Sequence, residues 1–115
     1  MQKGNAMTRL AFVTAGTSAI GRTLVVGLAG AGYDVAFTHL DDTAAACALA
    51  DRVAGFGGRA LALEADAGDE GDVESSHKAA QDWAGAAPVA LINNAGVQTW
   101  ASLLDLRVDQ WDQVI

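Results

Sequence analysis

Leu10-Ala11-Phe12-Val13-Thr14-Ala15-Gly16-Thr17-Ser18-Ala19-Ile20-Gly21 passes from a short apolar run, through a turn of small residues, into a helical pattern. Four of the five residues 10–14 are apolar and do not alternate with polar ones. That pattern fits a parallel strand buried on both faces. A strand feeding a glycine turn and then a helix turns backbone N–H groups and the positive helix end toward an anion such as a pyrophosphate. Gly16 and Gly21 stand where the backbone must come close or take positive φ. Ala15 and Ala19 occupy two places that a fuller glycine turn would also give to glycine. Their methyl groups are tolerated where φ is negative, and they narrow the phosphate cradle. Thr17 and Ser18 add hydroxyls within reach of phosphate or ribose.

The same alternation continues along the chain. Residues 18–30 form a helix, with Ile20, Leu24 and Leu28 four apart on one face. Gly30 and Gly32 close it. A second strand covers residues 33–38, and Thr43 caps an alanine-rich helix that reaches Ala54. A third strand at residues 60–63 ends at Asp66. A polar helix then spans residues 69–84, with Asp69, Glu70 and Asp72 placed to favour its dipole. Pro88 opens a fourth strand over residues 89–92, where a missing N–H does least harm. Asp109 caps a last helix over residues 110–115. Strand–helix alternation with short loops implies an α/β domain of the Rossmann type, a doubly wound parallel sheet with right-handed crossovers. Residues 1–7 read as a leader or alternative start, and residues 8–115 as one domain.

The bulk composition limits the function classes. The chain has 115 residues, a formal charge of −7 and seven scattered basic residues, a balance that disfavours a nucleic-acid partner. Its single cysteine, Cys47, permits no internal disulfide and makes the reducing cytoplasm the default compartment. No apolar stretch is long enough to cross a bilayer.

A second motif, Leu91-Ile92-Asn93-Asn94-Ala95-Gly96, follows the fourth strand. With it the chain resembles the short-chain dehydrogenase/reductase (SDR) family from residue 8 to 115. The segment from Thr14 to Gly21 is similar to the family's Thr-Gly-x-x-x-Gly-x-Gly turn, with Ala15 and Ala19 replacing two glycines. Asn93 to Gly96 matches the family's Asn-Asn-Ala-Gly fully. Residues 103–115 resemble the stretch leading into its fourth long helix.

The resemblance implies strands in the order 3-2-1-4, an NAD or NADP cofactor, and hydride transfer between nicotinamide and a carbonyl or secondary alcohol. It places Ala15, Gly16, Thr17, Ser18, Ile20 and Gly21 along the pyrophosphate and Leu40 beside the adenosine ribose. Asp66 and Ala67 fall beside adenine, and Asn94, Ala95 and Gly96 by the nicotinamide-side ribose. Asn93 is expected to brace the sheet.

The family's catalytic Asn, Ser and Tyr-x-x-x-Lys would lie past Ile115. Tyr33, the only tyrosine, has Phe37 four residues later instead of lysine. The expectation is therefore the cofactor-binding half of an oxidoreductase, truncated, with no catalytic residue of its own and homo-oligomeric if complete. Its fourth strand would present an exposed edge. The alternatives are a non-catalytic dinucleotide-binding or regulatory module, or a truncated product without function.

The end of the second strand bears on which cofactor is held. His39 and Leu40 occupy it, followed by Asp41 and Asp42, whose carboxylates repel a 2′-phosphate and favour NAD over NADP. Other chemistry-bearing residues have duller readings. His39 packs beside the adenine, His77 is solvated on the third helix, and Cys47 is a small buried hydrophobe. These three share no metal-ligand spacing, so no metal site is expected. Trp83 packs the third helix on the sheet, Trp111 packs the last helix, and Trp100 lies in ordinary loop packing or walls a substrate cleft.

Overall fold

The structure is a computed structural model that describes residues 8–96 and 104–114. The expected leader and Trp100 lie outside the described residues. The elements follow in the order β1 (Leu10–Val13), α1 (Ala19–Gly30), β2 (Asp34–His39), α2 (Thr43–Gly55), β3 (Arg59–Glu64), α3 (Glu70–Ala84), β4 (Pro88–Ile92) and α4 (Val108–Val114). The strands form one parallel sheet in the order β3-β2-β1-β4. Ala11 pairs with Val35 of β2 and Ala90 of β4, so β1 is the centre of the ladder.

Alternation along the strands divides the core between the two faces of the sheet. Val13, Val35 and Phe37 point toward α1 and α2, where they meet Val25, Ala29, Ala46, Leu49 and Val53. Leu10, Phe12 and Ala36 point the other way, against Ala80, Ala84 and Trp83 of α3. Trp83 thus packs α3 on the sheet as its sequence position suggested. Every residue of β1 and β2 is buried, which is why neither strand shows a polar alternation.

Several local expectations shift. The buried stripe of α1 is Gly21, Val25 and Ala29, one residue on from the anticipated row. Ile20 is exposed instead, because the small residues let the helix sit close against the turn before it. Asp42, not Thr43, occupies the cap position of α2, without a side-chain capping bond. The last helix begins at Val108 rather than after Asp109, and Trp111 is half exposed. Cys47 lies on the exposed side of α2, since Ala46, Leu49 and Val53 take the core-facing positions. His77 is half-buried rather than solvated, tilted against the Phe12 ring at 5.8 Å and hydrogen-bonded to Gln81 at 2.8 Å.

Helix α3 is bounded as the sequence indicates. Asp69 Oδ1 accepts from the Asp72 amide at its start. Gly85 ends it with φ of 70°, donating its N–H to Gln81 O, a left-handed cap suited to glycine. At the edge of the sheet, Val89 and Leu91 of β4 are exposed on the α3 side. At the amino end of the strands, Asp34 is fully buried and accepts from Arg59 at 3.0 Å, while the Arg59 guanidinium stacks over Trp83.

Candidate functional site

The parallel strands all end on one side, so the turns after β1 to β4 converge there. Thr14 ties two of these turns together. Its hydroxyl donates to Ile92 O and accepts from the amides of Asn94 and Ala95, each at 2.9 Å. Thr38 ties a third turn: its Oγ1 accepts from the Ala15 amide and its carbonyl from the Gly16 amide.

Ala15 is the hub of this arrangement. Its carbonyl accepts from the Ser18 amide, the Ser18 hydroxyl and Asn94 Nδ2. Its φ is +55°, so the condition under which its methyl group is readily tolerated, a negative φ, is not met. The bonds through Thr38, Ser18 and Asn94 hold a backbone conformation that an L side chain resists. Ala15→Gly is therefore expected to stabilise the chain by roughly 1 kcal/mol. A thermal melt that is unchanged or lower would refute the strain.

The convergence leaves a cleft of about 640 Å³, lined by Ala15, Thr38, His39, Leu40, Ala65, Asp66, Ala67, Gly68, Ala95, Gly96 and Asp112. The volume lies within the roughly 300–1,000 Å³ usual for small-molecule sites. Asp66 holds its own turn by accepting from the Gly68 amide at 2.8 Å, and its amide donates to Asp72. Leu40 and Ile20 stand exposed beside this region. Asp41 also has a positive φ, +55°, so among the described residues both non-glycine residues with this strain lie next to the cleft. Strained backbone of this kind gathers at functional sites.

Of the twelve site residues expected from sequence, Ala15, Leu40, Asp66, Ala67, Ala95 and Gly96 line the cleft. Gly16 is buried below it, because a Cβ there would meet the Phe37 ring at 2.6 Å. Gly21 packs under the Ala15 carbonyl. The Ser18 hydroxyl is already used, accepting from the Gly21 amide and from Asn94 Nδ2. The amides of Thr17 and Ile20 have no hydrogen-bond partner among the described residues.

The bracing role expected of Asn93 falls to its neighbour. Asn94 braces the turns with its side chain, while Asn93 is exposed and lines a smaller cavity of about 330 Å³ with Phe12 and His77. Sequence reading missed Thr38, Ala65, Gly68 and Asp112 as cleft residues. Thr38 and Ala65 sit at strand ends, a position that offered a signal. Asp112 comes from α4, and no spacing rule connects it with the cleft.

A parallel sheet in this order, with a glycine turn and a cleft at its carboxyl end, defines a Rossmann-type dinucleotide-binding domain. The family model "short chain dehydrogenase" matches residues 9–115, and the chain belongs to that family of NAD(P)-dependent oxidoreductases. A 3-oxoacyl-acyl-carrier-protein reductase of Staphylococcus aureus is 31% identical over 109 residues, 95% of this chain and 44% of the relative. A short-chain dehydrogenase/reductase of Serratia marcescens superposes with a TM-score of 0.89 at 35% identity, covering 92% of this chain and 43% of its own. A blue fluorescent protein from a metagenomic library, solved with NADPH, gives 0.86 at 32% identity, covering 92% of this chain and 43% of its own. The chain thus spans less than half the length of these proteins. Among the described residues no helix is long and apolar enough to cross a membrane.

Proposed function

We propose that residues 8–115 are the cofactor-binding half of a short-chain dehydrogenase and hold NAD in preference to NADP. When bound, the nicotinamide would supply the hydride for reduction of a carbonyl, or accept one from a secondary alcohol, in the whole protein. The observation that carries this reading is the single cleft into which the β1 turn, the end of β2, Asp66 and the Ala95-Gly96 turn all converge.

The residues present fit such a ligand. The unspent amides of Thr17 and Ile20 at the positive end of α1 suit a pyrophosphate. Ala15, Leu40, Ala65, Ala67 and Ala95 give apolar walls for a base and a ribose. Among the described residues the cleft lining includes Asp66 and Asp112 and no lysine or arginine, and Asp41 and Asp42 follow directly after its Leu40. Each carboxylate about 4 Å from a 2′-phosphate would oppose it by about 1 kcal/mol even in water-like surroundings. These contacts, like the site residues themselves, are part of the proposal.

The 115-residue chain contains no Tyr-x-x-x-Lys pair, so binding without turnover is expected of it. Isothermal titration with NAD and NADP should show NAD tighter by about tenfold or more. Equal or tighter NADP binding would overturn the preference. Binding of neither would overturn the reading, and nicotinamide oxidation with a panel of carbonyl compounds would overturn the expected absence of turnover.

A further inference from the structure

The two edges of the sheet are finished differently. β3, at one edge, is covered on both faces: Ala60 and Ala62 pack on the α1–α2 side, and Leu61 and Leu63 pack on the α3 side. β4, at the other edge, leaves Val89 64% and Leu91 56% exposed. Among the described residues no strand lies beyond it. Edge strands are commonly guarded by charge, yet no charged residue occurs from Gly85 to Leu104 in a chain of formal charge −7.

The backbone of β4 offers a free row of donors and acceptors. Ile92 O accepts from the Thr14 amide, so the polar backbone groups of Ile92 and, two residues back, Ala90 face β1. Those of Val89 and Leu91 face outward. Burial alternates along the whole strand, which keeps the two exposed side chains on one face even though the ladder with β1 shifts register between Pro88 and Ala90.

We propose that β4 pairs with β4 of a second copy of this chain, antiparallel about a two-fold axis at Ala90, and joins the two sheets into one. In this register Val89 stands opposite Leu91 of the partner subunit, and each of the two exposed apolar side chains covers the other. Such a hydrogen-bonded pair exchanges both of its N–H···O bonds, the groups that face outward here. No N–H is asked of Pro88. A two-fold contact must be complementary to itself, and a neutral strand meets that condition without setting like charges together.

The 115-residue chain should sediment as a dimer at micromolar concentration. V89K and L91E should each weaken the dimer roughly tenfold through two lost apolar pairs. V89K/L91E sets opposite charges across the axis and should recover most of that loss. Cα atoms of a non-hydrogen-bonded antiparallel pair lie about 4.5 Å apart, within reach of a disulfide. A90C in a C47S background should therefore oxidise to a covalent dimer, and A54C, on the exposed side of α2, should not. A monomer at every concentration, single charge variants that dimerise like wild type, or equal cross-linking of A54C and A90C would overturn the proposal. Open-ended aggregates would overturn it too, because a two-fold contact closes at two copies. A monomer whose Val89 and Leu91 amides resist hydrogen exchange would give the edge to another segment of the same chain and refute the pairing.

Discussion

Gly21→Ala is expected to destabilise the chain by about 2 kcal/mol and lower its melting temperature by roughly 10 °C. An alanine Cβ at this position would lie 2.1 Å from Ala15 O and within 2.9 Å of two Gly16 backbone atoms. No side-chain rotation relieves such a contact, so the start of α1 must move away from the β1 turn. That displacement strains the Ala15 carbonyl, which accepts from Ser18 twice and from Asn94. The turn after β1 and the turn after β4 would then separate, and nucleotide affinity should fall with stability. Gly27→Ala in the same helix is the control, because a Cβ there meets nothing within 4 Å. It should stabilise by roughly 0.5–1 kcal/mol. Similar melts for the two variants would show that close approach does not explain Gly21.

Arg59→Met has the second large expected effect, at the opposite end of the sheet. Asp34 is completely buried, and Arg59, whose side chain is 37% exposed, is its cationic partner. Removing a partner from a buried charge costs roughly 3–5 kcal/mol. The partial exposure of Arg59 screens the pair, so about 3 kcal/mol is expected. That is a large share of a total stability of roughly 5–15 kcal/mol. The methionine keeps an apolar stem beside Trp83 while losing the cation stacked on its ring. Asp34→Val combined with Arg59→Met removes both charges and should recover most of the loss. Denaturant unfolding of the single and double variants checks both statements. A single variant within 1 kcal/mol of wild type would contradict the role given to the pair.

How much the sequence revealed depended on the range of each interaction. The unbroken apolar runs of β1 and β2 announced strands covered on both faces, and they are. Asp69 and Gly85 bound α3 by contacts within four residues of themselves, so local pattern sufficed. The expected α1 row held in part: Leu24 and Leu28 pack partly buried against the core, while Ile20 is exposed and the fully covered stripe is Gly21, Val25 and Ala29. Packing favoured the smallness of Gly21 beside the β1 turn. Cys47 was misread for a related reason: an alanine-rich helix gives little contrast between its faces, and the sheet decided which face was covered.

The sequence by itself determined the alternating architecture, the two small-residue turns at the carboxyl end of the sheet, and the family. Those properties rest on backbone freedom at glycine and on periodic burial, both written locally in the chain. Tertiary structure alone decided the left-handed backbone of Ala15, which is held by Thr38, Ser18 and Asn94 from three different segments. It also decided that the Ser18 hydroxyl and the Asn94 amide serve each other inside the fold. Asp112 reached the cleft in the same way. The physical reason is common to all of these. A side chain's partner is set by which distant groups remain unsatisfied once the sheet has closed, and no spacing along the chain records that.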